Sequence, residues 1–241
     1  MYQVSYGADQ IPYEVIRKDR KTVGIVVEPT GSVKVKAPQN LSDTQVQDIV
    51  DKKKDWIAKK IAKTQRIKKP VPKIQEPVSG EGILYKNNYY RLLIHKTTKK
   101  SAINLIGRNL NIYVNTKDEA NLPGKIKELI IKWYKEKSYN YLEKRIRRFA
   151  PYLGVQPKEL QIRELKNRWG SCTGSEDLIF NWRLIMAPIS VIDYIVIHEL
   201  AHLKESNHSE KFWLIIESIL PSYKKWKEWL FVNGLSLDLR W

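Results

Sequence analysis

Short segments of alternating apolar and polar residues open the chain. A period of two is typical of strands with one buried face, and it predicts strands at 13–17, 22–28 and 32–36. The last two flank Pro29-Thr30-Gly31, which predicts a hairpin. From Ser42 to about residue 69 the period becomes helical, with one apolar side and lysines crowding the rest. Prolines at 70, 72 and 77 then predict a connection over 70–82.

A second group of strands leads into a long helix. Strands are predicted at 82–85, 89–95, 102–106 and 109–114, with tight turns at Asn87-Asn88 and Gly107-Arg108. Helical spacing of apolar residues follows from about 122 to 150. After Pro151 we predict short strands at 160–165, 168–173 and 178–182, and then three helices, which begin near residues 188, 209 and 221.

The helix near residue 188 carries the string His198-Glu199-Leu200-Ala201-His202, and His208 follows six residues later. Positions four apart share a helix face, so His198 and His202 can present two imidazole nitrogens to one ion. A turn at 203–207, where Asn207 tolerates a left-handed conformation, is expected to bring His208 back as a third ligand. Three ligands leave the fourth position of a zinc ion open for water, which Glu199 is placed to deprotonate. We therefore expect one zinc ion per chain.

These elements predict an α+β protein with three parts. Residues 1–120 form a basic, strand-rich N-terminal region with one lysine-rich helix, and residues 121–150 form a long connecting helix. Residues 151–241 form a C-terminal zincin-like catalytic domain with a short sheet and the metal-binding helix. A length of 241 residues is enough for one large or two small hydrophobic cores.

The positive charge of the chain is unevenly distributed. The net charge is +17, yet residues 151–241 hold 11 Lys and Arg against 11 Asp and Glu, so the whole excess lies in residues 1–150. Such a region attracts polyanions in a salt-dependent way, which makes nucleic acid a candidate partner of the N-terminal region. Ordinary solvation of lysine-rich helix faces explains the same pattern.

Cysteine content and apolar runs bear on location. Cys172 is the only cysteine, which excludes an internal disulfide and suits a reducing cytoplasm. No apolar run approaches the roughly 18 residues of a membrane span, and residues 1–9 lack a signal-peptide core. We expect a cytoplasmic protein without membrane contact. We interpret Cys172 as a packed small residue and His95 as a structural residue within a strand.

Three strings together resemble the signature of the YgjP-like metallopeptidase family, which is related to the SprT-type zincins. They are Arg168-Trp169-Gly170-Ser171-Cys172, Asn181-Trp182-Arg183-Leu184 with Ala187-Pro188, and the histidine string with Asn207-His208-Ser209 and Phe212-Trp213. The hairpin at 22–38 and the helix with Lys54-Asp55-Trp56-Ile57 extend the resemblance to the N-terminal half. The resemblance implies a zinc site of His198, His202 and His208, with Glu199 as general base.

Arg168, Asn181 and Arg183 are candidate substrate-binding residues, because they belong to these strings and precede the metal helix. In a peptidase they would line an edge strand that binds an extended backbone. In a nucleotidase the two arginines would clamp phosphate oxygens. The alternative is that they brace the fold through ion pairs with residues such as Glu164 or Asp193.

Three functions remain open. The first is a zinc-dependent metallopeptidase acting on a peptide, and the family resemblance implies a second, a nucleoside triphosphate (UTP) pyrophosphatase assisted by zinc or magnesium. The third is a nucleic-acid-associated basic protein with a zincin site. The histidine string favours the peptidase, whereas the positive excess and the two arginines favour a triphosphate. We interpret the chain as a zinc metallohydrolase and place the peptidase first.

Overall fold

The computed structural model describes residues 2–28, 30–67, 76–115, 117 and 121–239. These residues belong to two compact units, Met1–Lys68 and Lys69–Trp241. Each unit has its own hydrophobic core. Pro29 of the predicted hairpin and residues 70–75 of the predicted connection lie outside the described residues.

The first unit contains a four-stranded sheet. Its strands are β1 Tyr2–Tyr6, β2 Asp9–Lys18, β3 Gly24–Val27 and β4 Val33–Pro38. They lie in the order β1-β2-β4-β3, with the central pair parallel and the two outer pairs antiparallel. The predicted hairpin is confirmed, because β3 and β4 pair antiparallel with Val27 opposite Val33. Strand β1 is an addition to the predicted set.

Two helices, α1 Asp43–Asp51 and α2 Lys54–Thr64, replace the single helix predicted after Ser42. Ser42 caps α1 as expected, because its Oγ accepts from the backbone N–H of Gln45 and its own N–H donates to the Gln45 side chain. Val50 and Ile57, on either side of the break, are fully buried in the core that contains Val35. Both helices therefore stabilise the same sheet.

The second unit begins with a sheet of the same topology. Its strands are β5 Gly82–Tyr85, β6 Asn88–Thr97, β7 Ala102–Ile106 and β8 Asn109–Asn115, in the order β5-β6-β8-β7. The central pair is again parallel and the outer pairs are antiparallel. The register also repeats, because Leu92 faces Leu110 as Tyr13 faces Val33 in the first sheet. One sheet topology therefore occurs twice in the chain.

The long helix α3 Leu122–Leu153 belongs to the core of the second unit. It ends at Gly154, which has a φ of 60°. The hydroxyl of Tyr134 donates to the carbonyl of Leu84 at 2.6 Å, and that of Ser138 donates to the carbonyl of Trp182 at 3.0 Å. Residues from β5–β8, from α3 and from the C-terminal segment share one hydrophobic cluster. The observed units therefore divide near residue 68, whereas the sequence predicts boundaries at 120 and 150.

The C-terminal segment combines a small sheet with three helices. Strands β9 Leu160–Arg163, β10 Gly170–Cys172 and β11 Leu178–Asn181 lie in the order β10-β11-β9, so β10 is an edge strand. A 3₁₀ turn, Trp182–Met186, leads to α4 Ile189–Ala201, α5 Glu210–Ile219 and α6 Tyr223–Asn233. The architecture is α+β, as predicted. Within the described residues, no helix has the length and apolar character needed to span a membrane.

Candidate metal centre

Helix α4 is buried on nearly every side, which fixes the positions of its few polar residues. Val191, Ile192, Val196, Ile197 and Leu200 are fully buried. An all-round apolar helix is typical of a core element. Asp193 on this helix forms an ion pair with Arg145 of α3, and both side chains are largely buried. The histidines near the end of α4 are thus attached to a rigid part of the fold.

The three predicted metal ligands converge in space. One side-chain nitrogen from each of His198, His202 and His208 lies within 4.8 Å of the other two, and the Nε2 atoms of His198 and His208 are 3.1 Å apart. Two nitrogens bound to one tetrahedral zinc, each at about 2.0–2.1 Å, are separated by roughly 3.3 Å. The cluster therefore fits one zinc ion. Within the described part of the chain, no other group of three or more His, Cys, Asp or Glu side chains comes this close together.

The backbone that follows α4 orients the second and third rings. The Nδ1 atom of His202 lies 3.1 Å from the carbonyl oxygen of Glu205, which leaves Nε2 for a metal. The side chain of Asn207 accepts from the N–H of Ser209 at 2.9 Å, and Ser209 caps α5. None of residues 203–207 has a positive φ, so Asn207 acts through its side chain and not through the left-handed backbone we expected. The ring of Phe212 packs against His202, with centroids 4.6 Å apart.

Burial keeps His198 neutral. Together with the neighbouring His202 and His208, it lowers the pKa of His198 to about 3. A neutral imidazole is the form that binds a metal. The Nδ1 atom of His198 is buried and has no hydrogen-bond partner among the described groups. The Nε2 atom of the same ring faces His208 and is the nitrogen placed for a metal.

Glu199 is a buried carboxyl group beside the cluster. Its side chain is only 4% exposed, and burial raises its pKa from 4.5 to about 8, although a backbone hydrogen bond from Cys172 and the charge of Arg168 act in the opposite direction. A general base works best when its pKa lies near the pH of the reaction. The electrostatic environment of Glu199 is therefore suited to proton transfer near neutral pH.

Strand β10 passes directly over Glu199, and Gly170 makes this approach possible. A Cβ atom at position 170 would lie 2.5 Å from Oε1 and 2.6 Å from Cγ of Glu199. Such distances are far below ordinary van der Waals contact, so only glycine fits. Gly170 has no role that the sequence alone predicts, because nothing local to residue 170 indicates a contact with a residue 29 positions later.

A cavity of about 310 Å³ opens beside His198 and Glu199. Its walls include Trp169, Tyr194, Leu230 and Phe231, with Arg168 and Lys227 as cationic members. Arg168 is exposed, and its Nη1 atom donates to Ser171 Oγ at 3.1 Å. Of the three candidate substrate-binding residues, Arg168 is therefore the one that lies at the cavity.

Asn181 and Arg183 make contacts inside the fold. The amide of Asn181 donates to the carbonyl of Leu165 at 2.8 Å, and its oxygen accepts from the N–H of Arg183 at 3.1 Å. The guanidinium of Arg183 pairs with Glu164 at 3.0 Å and with Asp238 at 2.6 Å. The pairing with Glu164 is the bracing contact expected from the sequence as the alternative to substrate binding.

Two further residues singled out from the sequence lie outside the histidine cluster. The Nε2 atom of His95 is 3.0 Å from Oδ1 of Asn111, and its ring stacks on Tyr113. Cys172 is half-buried, its pKa is raised by burial, and its Sγ lies 3.7 Å from the carbonyl of Thr173. Cys172 contributes its backbone to Glu199 and is not part of the metal cluster.

Comparison with known proteins identifies the family of the chain. The chain belongs to the family described as YgjP-like, metallopeptidase domain, which matches residues 21–233. It is a metallopeptidase-type metallohydrolase. A crystal structure of the metallopeptidase zymogen of Pyrococcus abyssi abylysin is 27% identical, with a TM-score of 0.35, and the match covers 37% of this chain and 90% of that one. Among curated proteins, no match to the chain was found.

Proposed function

We propose that the chain is a zinc-dependent metallopeptidase in which His198, His202 and His208 hold one zinc ion and Glu199 is the general base. The observation that carries the proposal is the convergence of three imidazoles beside a buried carboxyl group of raised pKa. When bound, the zinc ion supplies Lewis-acid chemistry and lowers the pKa of water at the site to about 7. The chain's own residues supply proton transfer and substrate alignment.

Glu199 moves the proton in this proposal. Its carboxylate takes a proton from the attacking water and then donates it to the amine that leaves the cleaved peptide. The raised pKa makes the protonated form accessible near neutral pH. The N–H of Cys172 holds the carboxylate in place, and burial excludes competing water. The position of Glu199 therefore depends on strand β10.

Strand β10 also offers a place for the peptide. It is the edge of its sheet, and an extended peptide can add to such an edge through backbone hydrogen bonds. The 310 Å³ cavity would then receive one substrate side chain, with Arg168 at its wall as the substrate-binding residue. Asn181 and Arg183 would act indirectly, by holding the segment at 164–168 that precedes β10.

The nucleotide alternative receives less support from the described contacts. A phosphate clamp of the expected kind needs two available arginines, and Arg183 is bound to Glu164 and Asp238. No described feature favours a magnesium ion over zinc, because the clustered ligands are imidazoles and magnesium prefers oxygen. We therefore propose a peptide substrate and one zinc ion.

The test compares two glutamate-to-glutamine variants. Glu199→Gln should keep about one zinc per chain and lose roughly 100-fold or more of the cleavage rate on an unfolded protein, since general acid–base catalysis contributes about 10²–10⁴-fold. Glu210→Gln, an exposed change two residues after His208, should behave as wild type. Wild-type cleavage by Glu199→Gln with zinc bound would overturn the proposal. Pyrophosphate release from UTP by wild type, without protein cleavage, would favour the nucleotidase.

A further inference from the structure

The sheet formed by β5–β8 has one covered face and one open face. Leu92, Leu110, Ile112 and Val114 point to the covered side and are fully buried. On the opposite side the described residues are all exposed or half-buried. We call this side the open face, and its principal residues are Tyr89, Arg91, His95, Asn104, Ile106 and Tyr113.

The sequence that builds this sheet is positively charged and lacks acidic residues. Residues 82–117 contain seven lysines and arginines and no aspartate or glutamate. They are Lys86, Arg91, Lys96, Lys99, Lys100, Arg108 and Lys117. A surface of this kind attracts a polyanion, and the attraction weakens with salt. Arg91 lies on the open face, and Lys99, Lys100 and Arg108 lie in the turns at the ends of its strands, whereas Lys86 contacts Tyr141 of α3. Arg91 and these turn residues therefore give the open face a positive margin that complements phosphate groups.

Aromatic rings on the open face are already arranged for stacking. The ring of Tyr89 lies across Gly82, where an added Cβ would be 3.0 Å from Cδ1, and the tyrosine is 70% exposed. The rings of His95 and Tyr113 stack with centroids 4.9 Å apart, and Asn111 holds His95 by a hydrogen bond. A ring that lies flat on a sheet presents its outer surface to a planar ligand.

The β1–β4 sheet has the same strand order as the β5–β8 sheet but lacks its aromatic residues at the equivalent positions, so the topology does not require them. Its register places Gln10 where the second sheet has Tyr89, Pro12 where it has Arg91, and Lys36 where it has Tyr113. It also carries acidic residues on the corresponding side, and Glu28 pairs with Lys34 at 2.8 Å. The aromatic, acid-free character is therefore a property of the second sheet alone.

We propose that the open face binds single-stranded nucleic acid. Bases stack on exposed aromatic rings whatever their sequence, and a basic surround holds the backbone phosphates. Tyr89 and the His95–Tyr113 pair would provide the stacking surfaces, and Arg91 would meet a phosphate. An acidic peptide would use the charge but would leave the exposed rings without a stacking partner. The proposal does not depend on the metal centre.

The experiment measures binding of fluorescein-labelled oligonucleotides of 12 uridines or 12 deoxythymidines to the full chain, by fluorescence anisotropy at several salt concentrations. Tyr89→Ala should weaken binding at least about fivefold, which is the lower end of the measured range for loss of one base–aromatic stack. Tyr89→Phe should restore it. The matched control is Gln10→Ala, the equivalent position of the first sheet, which should bind as wild type.

Charge is tested separately from stacking. Arg91→Ala should reduce the slope of log affinity against log salt by about 0.7, the value for one phosphate contact with a single strand. Lys36→Ala removes one charge from the corresponding side of the first sheet and should leave the slope unchanged. Comparing the uridine and deoxythymidine oligonucleotides then distinguishes RNA from DNA as the ligand.

Three results would overturn the proposal. The first is no binding by wild type at low salt. The second is equal weakening in Tyr89→Ala and Gln10→Ala, with both proteins folded by circular dichroism, because binding would then follow overall charge. The third is binding of a poly-glutamate peptide, or of a duplex of the same length, as tightly as the single strand and without dependence on Tyr89.

Discussion

Replacement of Gly170 by alanine should inactivate the protein without removing its metal. The added Cβ would lie 2.5 Å from Oε1 and 2.8 Å from Cδ of Glu199. Carbon and oxygen atoms at rest are about 3.5 Å apart, so the carboxyl group must move by about 1 Å. It cannot move freely, because α4 is packed on nearly every side. The displacement would also weaken its bond to the N–H of Cys172.

A misplacement of about 1 Å in a catalytic group can cost roughly 100-fold in rate. We therefore expect Gly170→Ala to lower kcat about 100-fold while zinc content stays near that of wild type. Overpacking should also reduce the free energy of unfolding by about 1–3 kcal/mol. The assay combines kcat and KM on a quenched fluorescent peptide with zinc analysis and urea denaturation of the same samples.

Gly174→Ala is the matched control. It makes the same change in the same segment, but no atom lies within 4 Å of the Cβ it adds, and its φ is not positive. It should keep wild-type turnover and stability. Equal turnover in Gly170→Ala and Gly174→Ala would refute the argument that β10 positions Glu199. Loss of zinc from folded Gly170→Ala would refute the claim that this change displaces Glu199 without disturbing the three histidines.

Two predictions concern stability. Arg145→Ala leaves Asp193 buried without its partner, which should lower the free energy of unfolding, measured in urea, by about 3 kcal/mol. The control Arg147→Ala removes an exposed arginine and should change this free energy by under about 0.5 kcal/mol. Equal effects of the two variants would contradict the importance of the buried ion pair. In the zinc-free protein, Glu199 holds a proton between pH 4.5 and about 8 in the folded state but not in the unfolded state. Its contribution to the free energy of unfolding is therefore complete below pH 4.5 and is lost as the pH rises through about 8. Wild type should therefore lose stability relative to Glu199→Gln over this range, by up to about 1.4 kcal/mol per pH unit, and parallel stability curves would contradict the raised pKa.

The convergence of the three histidines was predictable because its geometry is mostly local. His198 and His202 are one helical turn apart, and His208 follows within a short turn, so spacing alone brings their side chains together. The surroundings of Glu199 depend on long-range packing. Gly170 and Cys172 reach Glu199 because β10 packs against α4, and no local pattern in residues 170–172 indicates this contact.

The errors in the predicted elements have similar physical causes. The break between α1 and α2 falls at Lys52-Lys53, where neither glycine nor proline marks it, so the helical pattern appeared continuous. The turn between β5 and β6 falls on Lys86-Asn87, both with positive φ, one residue earlier than predicted. The repeated sheet is preserved in strand order and register and not in residue identity, since Tyr13 corresponds to Leu92.

The roles of Arg168, Asn181 and Arg183 differ for a reason that the sequence does not contain. All three belong to the same signature strings, but Glu164 and Asp238 approach Arg183 from distant parts of the chain. Arg168 instead lies at the wall of the cavity beside Glu199. Only the tertiary arrangement separates a bracing arginine from one available to substrate.

Zinc K-edge X-ray absorption of the purified, zinc-loaded protein tests the central claim most directly. We predict a four-coordinate ion with three imidazole nitrogens at about 2.0–2.1 Å and one further light atom, as expected for a His198, His202 and His208 site with an open position. His208→Ala should lose one imidazole from the same spectrum. A sulfur shell at about 2.3 Å, which would place Cys172 on the metal, or an unchanged imidazole count in His208→Ala, would contradict the account.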